Sequence, residues 1–301
     1  MGHSHDHSHS SETSGTRLFI TILLNFTITI AEIIGGIISG SLSLISDAMH
    51  NFSDGIAVII SYIAIRLNKK PKDYRFTFGY KRAEILAAVF NASVLIGISL
   101  YLFFEAYNRF VNPEPIKGSI MIIVASVGLA ANIAGTLLLK SGAKENMNIR
   151  SAYLHLFSDA ISSVGVIIGG VFIYYYKIYW IDPVITVLIS LYIIKESWEI
   201  VKEAIRILMM GAPDEVSLDK IEVEIDKIDG IESIHHVHLW KVNEKDIHFE
   251  AHVKVEDMTV SKTELLLEEV EKSLHDKFDI NHVTLQFECN RCDVEELVSE
   301  N

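Results

Sequence analysis

Residues 42–65 read LSLISDAMHNFSDGIAVIISYIAI, an apolar run broken only by a short polar group, Asp47-Ala48-Met49-His50-Asn51-Phe52-Ser53-Asp54. Its length is that of a helix crossing hydrocarbon, which needs about 20 residues. Ionisable groups at such depth are costly enough to mark function. Five further stretches have similar length and character: Leu18 to Ile38, Ala83 to Phe104, Gly118 to Leu139, Ser151 to Tyr176 and Ile178 to Ile194. The fourth in chain order has no charged residue, whereas the sixth is short and has Asp182 and Pro183 near its start. The five prolines fall between these spans or near a span's beginning, where a missing N–H does little harm.

Charge divides the chain in the same way. Of 301 residues 50% are hydrophobic, the net charge is −13 and the mean hydropathy is +0.30. Residues 206–301 hold 10 basic and 24 acidic side chains, leaving 16 against 15 before them. The sequence therefore predicts a His-rich tail at 1–16, a nearly neutral six-helix membrane domain at 17–205 and an acidic soluble domain at 206–301. An acidic balance excludes nucleic acid as a partner. The polar, His-rich start lacks the pattern of a signal peptide. Two cysteines three apart exclude a disulfide scaffold and fit a reducing compartment.

Basic residues collect on the cytoplasmic side of a membrane protein. Arg66, Lys69, Lys70, Lys72, Arg75, Lys81 and Arg82 crowd the connection after the second span, and Lys140, Lys144 and Arg150 the one after the fourth. With six crossings, both termini lie in the cytoplasm. The C-terminal part reads as αββαβ: helical spacing at 217–228, alternating strands at 234–242 and 247–255, an amphipathic helix at 261–278 and a strand at 282–288. Such an order suits two helices on one face of a small sheet.

The second and fifth spans both contain His-x-x-x-Asp, as His50…Asp54 and His155…Asp159. Positions i and i+4 share a helix face. Two such helices face to face supply two nitrogen and two oxygen ligands, a closed tetrahedral set for Zn²⁺. Imidazole with carboxylate suits Zn²⁺, Co²⁺ or Cd²⁺ better than Mg²⁺ or Ca²⁺. The alternative for each pair is a hydrogen-bonded couple that holds helices together. Proton and metal compete for such ligands, so exchange between them is chemically natural, with His50 and His155 as the exchanging groups. Asp47, one turn before Asn51, suits a supporting role, and Glu32, Glu84, Asn25, Asn91 and Asn132 either line a pathway or join helices.

Six spans, the paired motif in the second and fifth, an acidic αββαβ domain and a His-rich terminus resemble the cation diffusion facilitators, exporters of zinc, cobalt and cadmium. The resemblance covers residues 16–290. It implies a C-terminal α+β ferredoxin-like cytoplasmic domain and a multi-pass homodimer in the lipid bilayer of the cell membrane. Each protomer would exchange a divalent metal for protons by alternating access, with no enzymatic activity. It places transport at His50, Asp54, His155 and Asp159, and His50 implies a preference for zinc, with cobalt or cadmium as alternatives. His235, His252 and Glu288 match cytosolic metal positions of the family, at which zinc would be structural or regulatory. Cys289 and Cys292 would complete that set, while Leu265 and Gln286 stand where some relatives have His. By strict strand alternation His236 and His238 share one face, as do His248 and His252, while His235 points the other way. The loop between the second and third spans has no His and only Asp73 as an acid, so no metal site is expected there. The tail His3-Ser4-His5-Asp6-His7-Ser8-His9 reads as a disordered, low-affinity metal collector. A membrane-bound sensor that binds metal without moving it would use the same cytosolic ligands. A metalloenzyme would need an open coordination position and a neighbouring base, which the four-ligand set does not provide.

Overall fold

The computed structural model describes residues 8–140, 147–289 and 296–297. Six long helices come first: α1 (Ser8–Ser39), α2 (Leu42–Asn68), α3 (Ala83–Val111), α4 (Gly118–Leu139), α5 (Met147–Tyr176) and α6 (Ile181–Leu208). They are followed by α7 (Leu218–Ile225), β1 (Ser233–Lys241), β2 (Ile247–Lys254), α8 (Val260–Phe278) and β3 (His282–Glu288). The αββαβ order of the C-terminal part is the one the hydrophobic periodicity predicts.

By length and composition, four stretches among the described residues are suited to crossing a bilayer: α2, α3, α4 and Tyr153–Tyr176 of α5. In α1 the apolar part is shorter, Leu23–Ser39. The helix itself starts at Ser8, so the described end of the His-rich tail, residues 8–16, is helical. Beyond its apolar first half, α6 carries Lys195, Glu196, Glu199, Lys202, Glu203 and Arg206. The outward faces are greasy: Leu86, Phe90, Tyr101 and Phe104 of α3 and Ile123, Val127 and Leu137 of α4 are exposed, more apolar surface than water tolerates on a monomer.

The chain forms two compact units, residues 1–62 with 90–200, and 63–89 with 201–301. In the first, α4 packs on α5 and on α1, and Leu44, Met121, Ala125, Val166 and Ile173 form a buried core. The link from α1 to α2 is a tight turn. Gly40 takes φ +77°, and its N–H and that of Ser41 return to the carbonyl of Gly36 at 2.9 and 3.1 Å, closing α1. Asp182, in the first turn of α6 and 0% exposed, closes the other side. It accepts hydrogen bonds from the Leu42 N–H (2.7 Å), the Ser43 N–H (3.2 Å) and the hydroxyls of Ser41 and Ser43 (both 2.6 Å). A helix start leaves four N–H groups without partners, and here a side chain from another helix takes two of them.

In the second unit the sheet order is β1-β2-β3, with β1 antiparallel and β3 parallel to β2. Ile221 and Ile225 of α7, Val270 and Leu274 of α8, and Phe249, Ala251, Val253 and Val283 of the sheet form one core. By packing, residues 63–89 group with this unit. Lys81 pairs with Asp246 at 2.8 Å, and the Phe78 ring lies 5.6 Å from that of His248.

Candidate metal centres

The first centre is built by α2 and α5. His155 Nε2 lies 3.3 Å from Asp54 Oδ2 and 3.5 Å from Asp159 Oδ2, and His50 Nε2 lies 3.5 Å from Asp54 Oδ2. The two imidazoles meet edge to face, 5.8 Å between centroids. Ligand atoms of His50, His155 and Asp159 all fall within 4.8 Å of one another. A tetrahedron with metal–ligand bonds of ~2.0–2.1 Å has edges of about 3.3–3.4 Å, so the three His–Asp contacts of 3.3–3.5 Å are compatible with edges of a zinc-sized shell. Asp54 Oδ2, Asp159 Oδ2 and His50 Nδ1 are buried and have no hydrogen-bond partner. A cation held between the carboxylates would satisfy both Asp oxygens directly, whereas His50 Nδ1 is the ring nitrogen other than the Nε2 that faces Asp54.

Around this centre, Asp47 is buried and its Oδ1 accepts a hydrogen bond from Ser162 Oγ at 2.9 Å, which ties α2 to α5 within a turn of the ligands. The sequence singled out Asp47 but not Ser162, because a serine in an apolar helix carries no signal of its own. Glu84 accepts from Asn68 (3.1 Å) and Asn91 from Ser53 (3.0 Å), so these two join helix segments. Asn51 donates to Glu32 at 3.3 Å.

The second centre lies on the open face of the sheet. His252 Nδ1 is 2.7 Å and His235 Nε2 3.6 Å from the Glu288 carboxylate, and the two rings are 5.4 Å apart. Each of the three residues offers a ligand atom within 4.8 Å of the others. The expectation that His235 points away from His238 is corrected by a β-bulge. His235 pairs with His252 and His238 with Glu250, so His236 and Val237 together stand opposite Ala251. His236 takes φ +51°, Val237 enters the core, and the extra residue turns His235 onto the face of His252. The freed N–H groups of His236 and Val237 donate to the carbonyls of Glu296 (3.2 Å) and Leu297 (2.8 Å).

Gln286, which stands where some relatives have a His, donates to Glu288 Oε1 at 2.7 Å and orients that carboxylate instead. Leu265 is 66% exposed on α8. Cys289 is a free, exposed thiol just beyond Glu288, while Cys292, His3, His5 and His7 lie outside the described residues. A further imidazole cluster, absent from the sequence reading, joins His248 to His282 (4.5 Å), Trp240 (5.5 Å) and Phe78. Burial pulls the His248 pKa below 6.5; His282, Lys81 and Lys72 add to the shift, and Asp246 opposes it.

Two family models match the chain in succession. Residues 18–209 match the family model of the cation efflux transmembrane domain, and residues 213–289 that of the cation efflux protein cytoplasmic domain. The metal cation efflux system protein CzcD of Cupriavidus metallidurans is 41% identical over 292 residues, covering 97% of this chain and 91% of the relative. The zinc transporter ZitB of Pectobacterium atrosepticum is 37% identical, covering 96% and 90%. A cadmium, cobalt and zinc/H⁺-K⁺ antiporter of Bacillus subtilis is 36% identical, covering 96% and 92%.

Proposed function

The chain belongs to the cation efflux family, whose work is the export of divalent metal cations, and from that premise we propose that it exports zinc in exchange for protons. All six long helices cross the cell membrane, both termini are cytoplasmic, and the protein acts as a homodimer by alternating access. The reading is carried by one observation. Two imidazoles and two carboxylates from α2 and α5 meet through His–Asp contacts of 3.3–3.5 Å, with Asp54 Oδ2 and Asp159 Oδ2 buried and lacking a hydrogen bond.

The donor chemistry explains both halves of the exchange. Zinc needs neutral imidazole and ionised carboxylate, so protons displace it where the site opens to an acidic compartment. A closed four-ligand shell leaves no position for an activated water, which suits carriage rather than catalysis. Zinc is named first because two imidazoles with two carboxylates make the closed four-ligand set that zinc characteristically takes. On the sheet face His235, His252 and Glu288 are a three-ligand set for a regulatory zinc, and Cys289 with Cys292 lies within a few residues in sequence.

The test is flux. Purified protein in liposomes should accumulate zinc, and Asp159→Ala should abolish accumulation. Zinc binding without flux in the unaltered protein would favour a sensor instead. Zinc uptake by inverted vesicles should fall when the pH gradient is collapsed; uptake indifferent to that collapse removes proton exchange from the proposal.

A further inference from the structure

Between α4 and α5 lies a groove of ≈ 430 Å³ that the α2–α5 centre does not use. Leu129, Ile133, Thr136, Leu137 and Lys140 line it from the α4 side. Tyr153, Phe157, Ala160, Ile161 and Val164 line it from α5. Both sets follow the spacing i, i+4, i+7, i+8, i+11, so a single stripe of each helix makes each wall. His155 and Asp159 come two positions after Tyr153 and Phe157, about 200° around the helix at 3.6 residues per turn. The helix that carries half of the proposed zinc ligands therefore has this groove along its back.

The groove is apolar along its length and polar at one end. Ile133, Leu137, Phe157, Ile161 and Val164 are exposed, as side chains facing hydrocarbon are. Lys140, just beyond α4, and Tyr153, near the start of α5, stand at the same end. From there to Leu129 on α4, or to Val164 on α5, is about 16 Å at 1.5 Å per residue. One leaflet of a ~30 Å hydrocarbon core is about 15 Å deep, so the groove runs from the membrane surface to the midplane. A helix ~10 Å across would fill about 1,250 Å³ over that length, so the space suits an acyl chain and not another helix.

The polar end selects the headgroup. Thr136 spends its hydroxyl on the Asn132 carbonyl at 2.7 Å, which leaves the Lys140 ammonium and the Tyr153 hydroxyl as donors. Among the described residues no carboxylate pairs with Lys140, and Lys144 and Arg150 follow it in the same basic connection. Their complement is a phosphate diester with a net negative charge. A zwitterionic headgroup would bring a cation of its own towards Lys140.

We propose that an anionic phospholipid, of the phosphatidylglycerol type, binds in the α4–α5 groove, its acyl chain along Leu137 and Ile161 and its phosphate at Lys140 and Tyr153. It holds α5 against α4 and so steadies His155 and Asp159 from behind. That effect on transport rests on the export reading; the binding does not. Full-length protein in phosphatidylcholine vesicles is irradiated with a trace of phosphatidylglycerol bearing a diazirine on its acyl chain, and the label is mapped by mass spectrometry. Label should concentrate on the peptides holding Ile133 to Leu137 and Phe157 to Ile161. A probe with the same chains and a choline headgroup should label them about fivefold less, as one lysine near the surface predicts. Lys140→Gln should lose that headgroup preference, and Val164→Trp, which fills the deep end, should lower labelling by both probes. In vesicles containing phosphatidylglycerol, initial zinc flux should be lower for Lys140→Gln than for the unaltered protein; both meet the same surface charge, so the difference reports the site.

Label spread evenly over the exposed faces of α3 and α4, or equal label from the two headgroups, overturns the proposal. An undiminished preference in Lys140→Gln does the same, and because Lys140 is exposed at a helix end its replacement leaves the fold intact. Equal zinc flux in the two proteins, with labelling as expected, overturns the role in transport and upholds the site. Absence of zinc flux in every vesicle defeats the export reading, and the labelling still decides whether the lipid binds.

Discussion

Replacing Asp182 with Asn should damage the zinc centre from a distance, through the start of α2. The carboxylate accepts four hydrogen bonds from the Ser41–Ser43 segment, three on Oδ1 and one on Oδ2. Asn can keep its carbonyl at the Oδ1 position, but its NH₂ then faces the Leu42 N–H, donor against donor. That contact is lost and a buried donor is stranded, costing about 1–3 kcal/mol, and the other three bonds lose their charge assistance at about 0.5 kcal/mol each. The sum is about 2.5–4.5 kcal/mol. At roughly 2–4 °C per kcal/mol for a chain unit of this size, the Tm of the detergent-solubilised protein should fall by about 10 °C. Ser43→Ala removes the 2.6 Å hydroxyl contact alone and should cost about 1 kcal/mol. Because both changes act on one network, the double variant should lose less than the sum. Zinc flux should fall in Asp182→Asn although no ligand has been touched. A Tm shift of less than about 2 °C would refute the claim that Asp182 holds the start of α2.

Three further outcomes follow from the geometry. His155→Ala removes the imidazole that touches both Asp54 and Asp159, and should abolish zinc uptake by liposomes while the protein remains folded by circular dichroism. His236→Val places a β-branched side chain at φ +51°, which costs roughly 1–2 kcal/mol, and should weaken zinc binding at the sheet face; His236→Gly should retain it, as isothermal titration of an Asp159→Ala background would reveal. His248 has a lowered pKa, so below about 6.5 the unfolded chain takes up a proton that the folded one resists, and stability falls as the pH drops from that point towards the folded pKa. His248→Phe should flatten this acid limb in melts between pH 7 and roughly 5; an unchanged slope would mean that another group causes it.

The meeting of His50, Asp54, His155 and Asp159, the proposed zinc centre, was legible in the sequence because helical geometry leaves little freedom. A His and an Asp four apart on an apolar helix must share a face, and two such helices have few other reasons to exist. The sheet centre was half legible. Its three residues were found through family resemblance, but alternation alone sent His235 to the wrong face. A bulge adds one residue to a strand without altering composition or periodicity enough to be noticed, and here Ile234 and Val237 are both buried on either side of it. Asp182 shows a different limit. In a hydropathy window it is a blemish at the edge of the sixth span, yet in three dimensions it is the acceptor that α2 lacks. Glu32, Asn51 and Asn132, which keep buried oxygens without hydrogen-bond partners, were visible only as polar residues in apolar runs, since whether a polar atom is satisfied depends on its neighbours.

The unit that holds the sheet is assembled from chain segments made at different times. Lys81 leaves the ribosome 165 residues ahead of Asp246, its ion-pair partner, and Phe78 earlier still. At about 5–20 residues per second, translation leaves this stretch, with exposed Tyr74, Phe76 and Phe78, waiting roughly 8–33 s for the surface it will join. During that interval its aromatic side chains are open to chaperones, proteases and other nascent chains. Synonymous changes that slow synthesis between residues 90 and 245 should therefore lower the yield of folded protein without altering a single contact in it.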